Sequence, residues 1–268
     1  MAFASRDQIR QAITAGRVQR WHPMKVGSAT PEAAGNWVSF YLDAGSPGAA
    51  ANPTTYANCT DLTGSVFFTN VSPGNRYLTD VSLLASQDCT IMIYDRLGHI
   101  SADVWNGTAD RTVTSSALPR SMGTNDLNNV ECWVEVTTAT DGFAPVIDLK
   151  SYTNQAGTAA RDGASITFPA AATNVGWMSK LPLQAGDKGV QAIASLGVST
   201  AADTTGVVNV ILLRPLFFIA CKANELATRE VTTLPRVYDG SSICFAALAT
   251  GTTAINILGG ELTFAYDA

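Results

Sequence analysis

Charge is what this 268-residue sequence has least of: 15% of its residues are Asp, Glu, Lys or Arg, against roughly 25% in ordinary soluble chains. Histidine is scarcer still, with His22 and His99 alone. So few candidate acids and bases argue against an enzyme, because general acid–base work draws first on His and on clustered carboxylates. Cysteine is present without a pattern: Cys59, Cys89, Cys132, Cys221 and Cys244 are odd in number and widely spaced, with no Cys-x-x-Cys pair and no zinc-site spacing. Such usage predicts reduced thiols, buried in strands for Cys89, Cys132, Cys221 and Cys244 and accessible for Cys59 in its polar stretch. The most apolar run, Val207–Cys221, is interrupted by Asn209, Arg214 and Pro215 and is too short to span a bilayer. No apolar leader follows Ala2-Phe3-Ala4, since Ser5-Arg6-Asp7 comes at once. The expectation is a soluble protein of the cytoplasm that makes no membrane contact and needs no cofactor and no metal.

What is abundant is small and neutral: Ala, Gly, Ser, Thr and Asn recur throughout. A weakly charged surface suits a protein packed against neighbours, although extracellular adhesins share that bias. The net charge of -5 is unevenly divided. Arg6, Arg10, Arg17, Arg20 and Lys25 face a single acid, Asp7, within residues 1–27, leaving the remainder at about -9. Those cations are either the solvated face of a helix or a basic arm, with Trp21, that docks on an acidic partner surface. The acidic remainder disfavours nucleic acid as a partner.

Ser5-Arg6-Asp7-Gln8 fits a capping box and Gly16 a left-handed stop, so a short helix is expected between them. Its Ile9, Ala12 and Ile13 form a stripe too narrow to hold so short a helix alone in water. Residues 21–35, broken by Pro23 and Pro31, read as an extended arm. From Trp37 onward, short β-branched or aromatic runs alternate with Gly, Pro, Asn and Asp turns. Strands are expected at 37–42, 65–69, 77–85, 90–94, 130–137, 146–153, 165–168, 190–199, 207–213, 216–221, 243–248 and 260–265. The fold class is all-β, a β-sandwich or jelly-roll-like body with an N-terminal helix and arm. Residues 81–97 echo 194–216 in pattern, each read as a hairpin. The echo has two readings, convergence of two strand pairs or duplication of a β-domain. Duplication would divide the chain into an arm (1–35) and β-domains at 36–155 and 156–268.

Constellations with chemical potential are few. Asp95, His99 and Asp103 fall at what reads as a strand end, where a turn-stabilising hydrogen bond outweighs a metal site. Glu131 and Glu135 share a strand face, expected outward and solvated. Gly186-Asp187-Lys188-Gly189 lacks the phosphate-loop frame and reads as a hairpin turn.

Five stretches carry a resemblance: 44–49 (AGSPGA), 93–97 (IYDRL), 151–158 (SYTNQAGT), 181–190 (LPLQAGDKGV) and 213–216 (LRPL). Together they resemble a family of virion structural proteins encoded near the head genes of tailed phages. The echo spans roughly residues 37–250 and lies in turn and strand motifs. The resemblance implies a capsid decoration or cement protein on the outer virion surface, assembled in the host cytoplasm. Its partners would be the major capsid protein and copies of itself, with a closed trimer expected from viral geometry. Residues 1–35 lie outside the resemblance, so the arm's role rests on charge alone. A different class of function is a tail or fibre module that binds host-surface carbohydrate, with Trp105, Trp133 or Trp177 stacking on sugars.

Overall fold

A computed structural model describes residues 6–29, 34–50, 56–60, 63–71, 74–104, 108–113, 118, 126–139, 145–167, 175–198 and 206–267. Among these residues it is all-β apart from one α-helix, Arg6–Thr14, and one 3-10 turn, Asp126–Asn129. The helix stops where expected: Gly16 takes φ +72°, a conformation a side chain disfavours. Ser5 of the proposed capping box lies outside the described residues.

The body has three layers. At the centre, strands Val207–Cys221, Glu131–Thr138, Trp177–Leu181, Trp37–Ser39, Ile243–Ala249 and Cys89–Val104 pair in that order, with Ala57–Asn58 added at the edge of the last. Val207–Cys221 also pairs with Cys89–Val104 along nearly its whole length, from Val207 opposite Val104 to Cys221 opposite Cys89. The sheet therefore closes into an antiparallel barrel. An outer sheet covers one side, ordered Ala227–Glu230, Arg76–Ala85, Ile255–Tyr266, Met24–Ala29 and Ala44–Ser46. A four-stranded sheet, Ile166–Thr167, Val146–Asn154, Val190–Val198 and Arg111–Thr112, covers the other.

Alternation along each barrel strand explains the layering, since successive side chains point to opposite faces. On Cys89–Val104, Ile91 and Ile93 join Leu78, Val81, Phe245 and Leu262 in the core beneath the outer sheet. Met92 and Tyr94 point into the barrel with Trp133, Met178, Ile211, Leu213 and Cys244. On Val207–Cys221, Val208, Val210 and Leu212 turn to the third core, packed with Val134, Val136, Leu149 and Ile193 beneath the four-stranded sheet. Each long strand serves all three cores, since Leu97 also joins the third and Leu216 and Ile219 the first.

Several expectations change in this frame. The segment read as an extended arm is paired: Val18–Trp21 and Met24–Ala29 both lie against Ile255–Tyr266. The strands expected at 207–213 and 216–221 are one continuous strand through Pro215, which sits beside a register shift where its missing N–H is tolerated. The strand expected at 90–94 runs on to Val104. The echoing segments are not hairpins. Each instead passes from a flanking sheet into the barrel, Arg76–Ala85 into Cys89–Val104 and Val190–Val198 into Val207–Cys221, and the two long strands then pair with each other. In all three sheets the ladders cross the boundary expected between residues 155 and 156.

Candidate functional site

The outer sheet brings three of the N-terminal cations, Arg6, Arg10 and Arg20, to one face. Its strand Ile255–Tyr266 turns Leu258, Leu262 and Phe264 to the core. Alternation therefore sends Ile257, Gly259, Glu261, Thr263 and Ala265 outward. At one end of this face the helix docks through Ile9 and Ala12 on Ala265 and Leu234. In the middle, Glu261 is held by Arg20 (Nε to Oε1, 3.4 Å) and by His22 (Nε2 to Oε2, 3.0 Å).

The expected site residues are therefore engaged with this chain itself. Arg6 pairs with Glu230 at 3.3 Å and Arg10 with Asp7 at 3.9 Å. Both pairs are well exposed, the kind of contact that contributes little and exchanges readily. Arg17 is half-buried, and its carbonyl accepts from the Tyr266 amide at 3.2 Å. Trp21 points to the core side, edge-on to Phe68 with centroids 6.4 Å apart. Lys25 is fully buried, its ammonium donating to the carbonyls of Asp43 (3.1 Å) and Gly48 (3.3 Å). Burial holds its pKa below the usual lysine value and pushes that of Asp43 up.

The far end of the same face is apolar. Met24, Val26 and Ile257 are 50%, 52% and 40% exposed. Register places Val26 between Ile257 and Ala44, and Met24 between Gly259 and Ser46. Leu84, half-buried opposite Gly259, extends the patch onto a fourth strand. Among the described residues, no charged side chain stands between them. The alternation of Met24-Lys25-Val26 is the signal in the sequence that points to this face.

A second group, unforeseen in the sequence, lies inside the barrel. Arg96 and Glu135 form an ion pair at 2.9 Å, both fully buried. The guanidinium stacks on Tyr41, 3.8 Å from the ring centroid, and its Nε donates to His99 Nδ1 at 3.2 Å. Burial would lower the Arg96 pKa, but the Glu135 carboxylate more than compensates and holds it above the ordinary value. His99 is pushed down to about 3 by burial and by the adjacent guanidinium. Asp95 points the other way and is held by Arg214 (3.1 Å), the Ser241 hydroxyl (3.1 Å) and the Ser242 amide (3.0 Å). Asp95 and His99 thus do not converge, and no group of three metal-ligating side chains occurs among the described residues. Glu135 is not outward as expected; its face is the barrel interior, made tenable by Arg96. The Gly186–Gly189 turn joins strands that do not pair with each other, and Asp187 in it is clamped by Arg161, Tyr152 and Asn154. Cys59 is fully buried, contrary to its polar sequence setting. Trp133 and Trp177 are each 4% exposed, and Trp105 lies outside the described residues.

Among the described residues, no helix is long and apolar enough to cross a membrane. No protein-family model and no curated protein matches the chain. Among solved structures it is similar to the VP2 subviral particle of infectious bursal disease virus, at 8% identity over 92% of this chain and 80% of that one, with a TM-score of 0.17. A structure of the Gt strain of the same virus matches at 9% identity over 93% and 81%, again with a TM-score of 0.17.

Proposed function

We propose that this chain is a structural subunit of a tailed-phage particle, a decoration protein that seats on the outer surface of the head and binds the major capsid protein. The apolar patch of Met24, Val26 and Ile257, spread over neighbouring strands of one sheet face, supports the reading best. Contiguous apolar surface of this kind marks a contact face, because leaving it in water is costly. The particle to which it belongs comes from the resemblance in the turn and strand motifs. Arg6 and Arg10 lie at the helix end of the same face, so their exposed pairs are available to exchange for capsid carboxylates. A closed trimer suits seating on a capsid symmetry axis.

A sheet face, and not a reaching arm, makes the contact in this reading. Purified protein is mixed with undecorated heads and co-sedimented, alongside a variant carrying Val26→Glu and Ile257→Glu. Both side chains are substantially exposed, so the variant should melt like the parent yet fail to sediment with heads. Undiminished binding of the variant, or labelling over the tail in electron micrographs, would sink the reading.

A further inference from the structure

One end of the barrel opens into a cleft of about 410 Å³. It lies where strands begin or end: Trp37 and Glu131 are the first residues of theirs, and Lys180 is next to last in its own. The wall is aromatic. Trp37, half-buried, stands edge-on to Trp133 (centroids 6.0 Å, 90°) and to Phe218 (6.1 Å, 63°). Phe218 is 49% exposed at the rim. Beside the rings the Glu131 carboxylate accepts from Trp133 Nε1 at 2.8 Å through one oxygen and from Lys180 through the other. The volume, the aromatic lining and the few convergent polar groups are those of a small-molecule site.

We infer that this cleft binds a neutral carbohydrate, one pyranose ring at a time. The chemistry of the walls selects it. Glu131 and Lys180 cancel in charge, so a cation meets the ammonium and an anion meets the carboxylate. A wholly apolar ligand would desolvate both without replacing their water contacts. A hydroxylated ring avoids each penalty. Each Glu131 oxygen has a further lone pair and Lys180 two further hydrogens, so adjacent hydroxyls both donate and accept, while the ring's C–H face lies on Trp37 and Phe218. Hydrogen-bonding groups built in this way reject analogues that lack the matching hydroxyls. The inference is independent of the apolar patch, which lies on the outer sheet.

The test is titration of the full chain with methyl pyranosides and short oligosaccharides of glucose, galactose, mannose and N-acetylglucosamine. Intrinsic tryptophan fluorescence and calorimetry report binding, with glucuronic acid and glucosamine as charged controls. At least one neutral sugar should perturb the fluorescence and bind saturably. Phe218→Ala, which removes a rim side chain, should weaken it about tenfold, and Lys180→Gln should weaken it with the melting temperature unchanged. Three results overturn the inference: no neutral sugar binds, only a charged control binds, or binding is indifferent to both substitutions. The last would place the sugar elsewhere on the protein.

Discussion

Arg96 and Glu135 meet in the barrel interior, Nη2 to Oε2 at 2.9 Å, with neither side chain reaching solvent. Two charges so enclosed stabilise a fold only conditionally, because each has lost its hydration and depends on the other. Removing one partner strands the second. Glu135→Ala should therefore lower unfolding stability by about 3–5 kcal/mol. The double variant Arg96→Met with Glu135→Leu should recover most of that loss, by urea unfolding of all three proteins. If the single and double variants lose equally, packing around Tyr41 and not charge isolation sets the cost.

His99 gives stability a pH dependence. Its Nδ1 accepts a hydrogen bond from Arg96, which has no acceptor of its own, so the folded ring is neutral with its proton on Nε2. A second proton would create a cation beside the guanidinium, and the folded pKa is accordingly near 3. The unfolded ring protonates near 6.5. Between these values the unfolded state binds more protons, so the contribution of His99 to stability is fully present above about pH 6.5 and is lost as pH drops toward 3. The slope from this residue is about 1.4 kcal/mol per pH unit. Denaturation curves at pH 7, 6, 5 and 4 should show the decline, and His99→Gln should flatten it.

Truncation separates the helix from the strands that follow it. The helix contacts the body through Ile9 and Ala12, so a chain beginning at Gly16 should stay folded and lose about 2 kcal/mol of buried apolar contact. A chain beginning at Ser28 removes Val18–Trp21 and much of Met24–Ala29, uncovering one edge of Ile255–Tyr266. That protein should aggregate, since an exposed apolar edge templates further pairing. Circular dichroism and gel filtration of the two truncations decide it.

All five thiols are free and buried. Burial pushes Cys89 up to about 12 and raises Cys132, Cys221 and Cys244 as well, suppressing the reactive thiolate. A thiol reagent on native protein should modify none of the five quickly, and all of them in denaturant. Rapid labelling of Cys59 alone would show that its loop opens.

The sequence was informative wherever one face of a strand is apolar and the other wet. Expected 146–153 and 190–199 are observed as Val146–Asn154 and Val190–Val198, even though bulges interrupt the alternation of buried and exposed residues. Barrel strands with protein on both sides were also legible, 130–137 as Glu131–Thr138 and 243–248 as Ile243–Ala249, but the pairing of their charged residues was not. Asp95, Arg96 and His99 look like turn residues, yet they are strand residues whose partners come from Glu135, Arg214 and Ser241 far along the chain. No local pattern encodes such partners. The ion pairs of the N-terminal cations were hidden for a related reason: Arg6 and Arg20 find Glu230 and Glu261 only after the sheet has formed. The aromatic cleft was equally hidden, since Trp37, Trp133 and Phe218 converge from three strands distant in sequence.

The shared long strands also set the order in which the protein can be made. Cys89–Val104 is synthesised well before Val207–Cys221 and Ile243–Ala249, its neighbours on either side. While the ribosome completes the intervening residues, Ile91, Met92, Ile93 and Tyr94 have no ladder to join and no core to enter. Pairings of such long range form slowly and leave apolar strands open to wrong partners in the meantime. The yield of the protein in a cell is therefore expected to depend on how long that waiting strand is shielded as well as on how stable the finished barrel is.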